Sequence, residues 1–264
     1  MSENTKIEWT DNSHNPWIGC TKVSPACLKC YAENICVTRF GWVQWGKGRP
    51  RRRASDETLK MPFRWERAAL KSGQRTKVFC ASLADVFDAE VNPTWRADLF
   101  QTIAATPSLD WQLLTKRPEN IRGMLPPNYP AGFEHVWLGT SVESKDYVWR
   151  AFELARIPAA VHFLSVEPML GPVDLRALFA HSRSPNWWVI CGGESDRDPR
   201  PMEVEWVRDL RAQCVQANVP FFFKQWGGKN KREAGRLLDG RTYDEFPTPK
   251  SVMATTALSG GQAA

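Results

Sequence analysis

No apolar run in the chain approaches the roughly 20 residues a membrane-spanning helix needs, the most continuous one covering only 187–191. The first fifteen residues are polar and lack the apolar centre of a secretory signal, so the protein is expected to be cytoplasmic, with no membrane contact. There is no sequence repeat beyond the spacing of the strands described below. Cysteines number seven, an odd count, which in a reducing compartment argues against a disulfide framework and makes clustered thiols candidate ligands. Acidic residues are missing from one stretch altogether: between Arg39 and Arg53 the charged residues are all basic, namely Arg39, Lys47, Arg49, Arg51, Arg52 and Arg53.

What is present suits a globular α/β protein. At 264 residues, with 42% hydrophobic and 24% charged residues, the chain can bury one sizeable core, and disorder is excluded as its dominant state. Short β-rich apolar runs at 6–10, 77–81, 111–115, 135–140, 161–166, 187–192 and 219–224 read as strands. The later ones are apolar almost throughout, as in parallel strands covered on both faces. Amphipathic stretches at 94–105, 144–156 and 203–217 lie between them, bounded by Pro93, Pro107, Pro158, Pro201 and Pro220. From the second strand onward the strands start 24–34 residues apart. This spacing predicts a full or partial (β/α) barrel of six or seven parallel strands. A single domain is expected over 1–246, with a basic insertion at about 39–60 and a flexible C-terminal tail over 247–264.

The chemistry-bearing motif follows the first expected strand. Cys20, Cys27 and Cys30 are spaced C-x6-C-x2-C in a loop containing glycine and proline. Three thiolates can hold a [4Fe–4S] cluster and leave one iron open. Alternatively, Cys36 or His14 supplies a fourth ligand and closes a structural zinc site. Cys36 reads mainly as packing, and Cys80, Cys191 and Cys214 as small core residues. Polar groups load the ends of the other strands: Ser82 and Asp85, then Lys116 and Arg117, Ser141 and Glu143, Glu167, Gly192-Gly193-Glu194-Ser195, and Lys224 with Gln225. In a barrel these converge on one face, making Lys116, Arg117, Glu143, Glu167 and Lys224 candidate catalytic residues. The lysines and Arg117 either bind a carboxylate or phosphate or neutralise Glu143 and Glu167. Gly192 and Gly193 let backbone amides approach a ligand, and Glu194 can accept from an ammonium group.

The basic run carries interleaved Trp42 and Trp45, and the 13 tryptophans of the chain serve either as packing or as a base-stacking surface. Arg49, Arg51, Arg52 and Arg53 are the candidate nucleic-acid contacts, the alternative being a solvated loop.

The run Trp9 to Cys20 and on through Cys30-Tyr31-Ala32-Glu33 resembles a phage-associated three-cysteine-motif family similar to radical S-adenosylmethionine enzymes. The later stretches 114–118, 137–143, 163–168, 192–195 and 223–227 match its motifs too. The resemblance implies a radical-SAM-like fold, a [4Fe–4S] cluster on Cys20, Cys27 and Cys30, and S-adenosylmethionine on the open iron. It further implies contacts to that cofactor from Tyr31, Gly192, Gly193 and Glu194, an electron donor, and pairing with a three-Cys-motif partner protein. The implied function is radical-based modification or repair of a nucleic acid or nucleotide-like substrate. The alternatives are a zinc-stabilised nucleic-acid-binding protein without catalysis, and an iron–sulfur protein that does not use S-adenosylmethionine. The cysteine spacing departs from the superfamily's C-x3-C-x2-C, and Lys29 stands where an aromatic is usual, with Tyr31 one place later.

Overall fold

The structure is a computed structural model that describes residues 3–182, 186–228 and 234–248. Its centre is a seven-stranded, all-parallel sheet of β1 (Asn12–His14), β4 (Thr76–Cys80), β5 (Leu109–Thr115), β6 (Val136–Ser141), β7 (Val161–Val166), β8 (Trp187–Gly192) and β9 (Phe221–Gln225). These strands stand side by side in chain order, with β1 and β9 as the two edges. Right-handed crossovers that always step the same way put the connecting helices on one face, which leaves the other face free to curl inward. The result is the expected partial (β/α) barrel. A small antiparallel pair, β2 (Trp17–Ile18) with β3 (Arg52–Arg53), lies outside the sheet.

The helices are α1 (Tyr31–Glu33), which runs into a π-helical segment over Asn34–Arg39, α2 (Asp56–Ser72), α3 (Pro93–Ala104), α4 (Pro118–Met124), α5 (Trp149–Leu154), α6 (Arg176–His181) and α7 (Val204–Gln216). The longest, α2, begins inside the stretch expected as a basic insertion. Ser55 caps it by accepting from Thr58 N, Asp56 and Glu57 open its first turn, and Gly73 ends it in the left-handed region. Pro62 and the exposed apolar residues Phe63 and Leu70 disguise its pattern, yet Trp65 and Ala69 are buried against the sheet.

Alternation along the strands sorts two cores. Trp111, Leu113, Leu138, Leu164, Val189 and Phe223 face the helices. Phe79, Trp137, Phe163, Trp188, Ile190 and Phe222 face the concave side, where Trp9 joins them. The expected strand over 6–10 does not form. Thr10 N donates to Ile7 O at 3.3 Å and Thr5 N to Asp11 O at 3.0 Å, so the segment turns and drops Trp9 into the aromatic cluster. The first strand is instead the short, polar β1. Pro247 and Thr248 are the described part of the expected tail, and the rest of it falls outside the described residues. No described helix is long and apolar enough to cross a membrane.

Gly139 of β6 lies beneath the ring of Phe163 on β7, and a Cβ there would enter that ring. Gly139→Ala is therefore expected to cost about 1–3 kcal/mol of unfolding free energy, as overpacking does, in chemical denaturation. An unchanged midpoint would show that the concave layer can slide to make room.

His14 and His162 sit on the helix-facing side, His14 edge-on to Trp65 and Trp111 with ring centroids 6.3 and 5.8 Å away. Burial lowers the pKa of His14 to about 3 and that of His162 to about 4. Both are neutral in the folded state and bind protons more readily when unfolded. Stability is thus full above the ordinary histidine pKa of about 6.5 and drains as pH falls from there towards 3–4. Urea midpoints measured across that window should fall with acidification in the parent and fall less in a His14→Leu variant.

Candidate active site

The cysteine loop is stitched to the sheet on the rim where the parallel strands end. Asn15 starts it: its Oδ1 accepts from Leu83 N at 2.7 Å and its Nδ2 donates to Ser82 Oγ at 3.0 Å. Next, Gly19 N donates to Leu83 O at 3.1 Å. Arg117, directly after β5, holds the following residues by donating to Thr21 O at 2.6 Å and approaching Cys20 Sγ at 3.7 and 3.8 Å. Asp85 holds Arg117 in turn, accepting from its Nη1 at 2.8 Å, from Thr115 Oγ1 at 2.8 Å and from Phe87 N at 2.9 Å.

Cys20, Cys27 and Cys30 are free and half-buried, whereas Cys36, Cys80, Cys191 and Cys214 are buried, as expected of core residues. Burial raises the pKa of Cys20 to about 12, Asp85 adding to the rise and Arg117 opposing it. The Cys30 thiol is also pushed up by burial, opposed by the backbone N–H groups of Glu33 and Ala32 and by Lys116. Among the described residues no three His, Cys, Asp or Glu side chains already meet as metal ligands. His14, a candidate fourth zinc ligand, is turned to the helix-facing core. Cys36 stands within electrostatic reach of Cys30.

Beside Cys30 opens a cavity of about 220 Å³. Its floor is the top of the concave cluster: Ile7, Trp9, Phe79 and Leu114. Its walls carry Lys116, Ser141, Ser165, Glu167 and Lys224, and Lys29, Tyr31 and the 193–195 turn close its rim. Lys116 Nζ donates to Ser141 Oγ at 2.9 Å, and Lys224 pairs with Glu167 at 2.5 Å. The segment after β8 bridges to the cysteine loop. Arg200 pairs with Glu194 and donates to Pro25 O at 3.0 Å, while Lys29 reaches Asp198 Oδ2 at 3.3 Å. A larger hollow of about 470 Å³ between α3 and the turn after α4 has no cysteine and none of these strand-end groups in its lining.

A family model described as a protein of unknown function (DUF5131) matches residues 4–247, which span every described strand and helix. The chain belongs to that family. No match is found among curated proteins. Three solved structures of spore photoproduct lyase mutants are similar. One, a double mutant with bound AdoMet and dinucleoside spore photoproduct, is 11% identical over 78% of this chain and 62% of its own, with a TM-score of 0.47. A single mutant is 12% identical over 78% and 62%, with a TM-score of 0.45. A further single mutant, with dinucleoside spore photoproduct, is 12% identical over 76% and 59%, with a TM-score of 0.46. This DUF5131 chain thus spans about three-fifths of those lyase chains.

Several sequence-based expectations for the DUF5131 chain need correction. Glu143 is fully buried and paired with Arg150 at 2.9 Å, so it braces the loop after β6 rather than facing the cavity. Arg117 is likewise buried and is committed to Asp85 and the cysteine loop. Gly193 is glycine because a Cβ would strike the Trp226 carbonyl, and its amide already donates to Gln225 O at 2.9 Å, so it is not free for a ligand. The Glu194 carboxylate is occupied by Arg200, which outweighs burial and lowers its pKa. Arg51 is withdrawn from the surface: its side chain is 1% exposed and pairs with Asp88 at 2.6 Å. Arg53 remains half-exposed but pairs with Asp98 at 2.5 Å, whereas Arg49 and Arg52 are exposed.

Lys116, Glu167, Lys224, Cys30 and Tyr31 do line one cavity, and Gly193 and Glu194 border it as well. Ser141, expected among the strand-end polar groups, shares it, as do Ser165, Lys29 and the apolar floor, which were not among the candidate site residues. Strand alternation carries that signal for one strand, since Phe163 and Ser165 lie two apart on one face of β7 and Glu167, one residue past its end, follows at the same interval. Nothing local marks the bridge from Lys29 to Asp198 or from Arg200 to Pro25, which span 169 and 175 residues.

Arg51→Ala leaves Asp88 buried without its main cation and should destabilise the protein by about 3–5 kcal/mol in chemical denaturation. Arg52→Ala, an exposed change in the same run, should stay within about 0.5 kcal/mol of the parent. Equal effects of the two would refute the buried role assigned to Arg51.

Proposed function

We propose that this protein is an iron–sulfur enzyme of radical S-adenosylmethionine type that acts on a nucleic acid or nucleotide-like substrate. The observation that carries this reading is a loop of three free thiols on the strand-end rim, one of which opens into a cavity with an apolar floor and a charged wall. The donor set suits a [4Fe–4S] cluster, for it supplies three thiols on one loop, with Arg117 and Lys116 beside Cys20 and Cys30 to offset thiolate charge. The side chains must rotate to converge, because no three of them meet as they stand.

When bound, the cluster and S-adenosylmethionine supply one-electron chemistry that yields a carbon-centred radical. The chain's own part is to bind, orient and exclude water. Arg117 and the Asn15 contacts fix the cysteine loop against the sheet. Ile7, Trp9, Phe79 and Leu114 give a dry floor for a flat apolar group. Lys116 offers an ammonium to a carboxylate or phosphate, and Glu167 with Lys224 offers paired charges to polar substituents. An external electron donor is required by such chemistry, and the three-Cys-motif partner protein stands in this proposal as a candidate accessory.

The proximity of Cys36 to Cys30 favours one rival, a four-thiol zinc site. Metal analysis after anaerobic reconstitution separates the two. The proposal expects about four iron atoms per chain, lost in Cys20→Ala, Cys27→Ala and Cys30→Ala and kept in Cys36→Ala, with S-adenosylmethionine altering the spin-resonance spectrum of the reduced cluster. One zinc per chain that also requires Cys36 would overturn it in favour of the rival.

A further inference from the structure

Outside the cavity, the loop that follows the three thiols presents an arrangement that the site itself does not use. Phe40 and Trp42 are 48% and 42% exposed, yet they stack on each other with centroids 4.5 Å apart and planes within 7° of parallel. Arg39 lies over the Phe40 ring at 5.0 Å, and Arg52 donates to Trp42 O at 3.3 Å. Among the described residues no second ring and no cation packs on Trp42. Arg39, Lys47, Arg49 and Arg52 are exposed and make no ion pair with another described residue. Two large apolar rings held in water beside unpaired cations do not serve the core, which is complete without them.

The loop is also held in place before any ligand arrives. Trp42 N donates to Cys36 O at 2.7 Å and Phe40 N to Ile35 O at 3.2 Å. The buried Arg51 donates to Gly46 O at 3.1 Å and to Arg49 O at 2.8 Å, while Asp88 and Glu90 neutralise it from inside. Gly46 N donates to Cys20 O at 3.0 Å, which ties the same loop to the thiols. A fixed platform loses little freedom on binding.

We propose that Phe40 and Trp42, flanked by Arg39, Arg49 and Arg52, form a stacking platform for single-stranded nucleic acid that delivers a nucleotide to the cavity beside Cys30. This deepens the nucleic-acid part of the proposed function and rests on it for the delivery step. Bases offer a flat face to the open side of Trp42, and the arginines meet the phosphates between them. A single strand is the form that fits, because the faces of duplex bases are already covered by their neighbours in the stack.

Binding of a fluorescently labelled single-stranded oligonucleotide to the full chain, followed by anisotropy at several salt concentrations, tests the platform without any need for the cluster. A Phe40→Ala/Trp42→Ala variant should bind roughly tenfold or more weakly, as expected from losing one or two base stacks, with its salt slope unchanged. An Arg39→Ala/Arg49→Ala/Arg52→Ala variant should instead flatten the slope of log K against log salt by up to about 2 units, at roughly 0.7 for each phosphate no longer neutralised. Phe40→Tyr/Trp42→Phe, which keeps the rings, should bind like the parent and guards against a general loss of structure. The proposal is overturned if the ring-deleted variant binds like the parent, if a blunt duplex of the same sequence binds as tightly, or if polyglutamate competes as well as the oligonucleotide. Tight binding by a chain that takes up zinc and no iron would sustain the platform while the radical-enzyme reading fails.

Discussion

The buried Asp85–Arg117 pair is the contact on which the geometry of the rim depends. Asp85 closes its own turn through Phe87 N, accepts from Thr115 at the end of β5, and anchors Arg117 two residues beyond. Through Arg117 the same carboxylate reaches Thr21 and Cys20 in a loop nearly a hundred residues earlier in the chain. A buried pair of this kind is worth little as net stability, because desolvation offsets much of the attraction. Its effect is positional: with either partner gone, a charge stays buried unpaired and the first loop loses its hold on the rim.

The concave aromatic layer sets the depth at which that rim operates. Trp9, Phe79, Trp137, Phe163, Trp188 and Phe222 fill the inside of the curled sheet from below, so the cavity begins only at the level of Leu114, Ser141, Ser165 and Glu167. Gly139 permits this by leaving room for the Phe163 ring on the neighbouring strand. Small hydroxyl residues one step further along then give the cavity its width. Phe79 and Leu114 of the floor lie on β4 and β5, and Ser141, Ser165 and Lys224 of the wall on β6, β7 and β9 of the same sheet, so the site shares its rigidity with the core.

Much of the architecture was legible because it is local. Six of the expected strands overlap the observed ones to within two residues at each end, since β-branched and aromatic runs bounded by proline and glycine leave little choice. The segment 6–10 misled because its composition is right for a strand while its tertiary role, delivering Trp9 to the concave cluster, demands a turn. The helix α2 was hidden by Pro62 and by the neighbouring basic run. Pairing was illegible for a different reason. Whether a charged residue at a strand end faces the cavity or a buried partner depends on residues such as Arg150, Asp88 and Arg200, and neither composition nor periodicity says which way each side chain turns. Glu143 and Arg51 looked alike in sequence to Glu167 and Arg52, and only the partners separate them.

Those pairings also decide which charges at the rim remain available. Lys224 is spent on Glu167, Lys29 on Asp198 and Arg117 on Asp85, which leaves Lys116, held only by a serine hydroxyl, as the cavity cation without a carboxylate partner among the described residues. The thiols face the opposite condition. Burial pushes Cys20 and Cys30 towards the protonated form, so under the proposed function the binding of a cluster would expel protons and strengthen as pH rises. Arg117 beside Cys20 and Lys116 near Cys30 already stand where thiolate charge would appear and oppose the effect of burial on both. Among the described residues Lys116 is thus the cavity-wall cation that combines an open charge with electrostatic reach to Cys30.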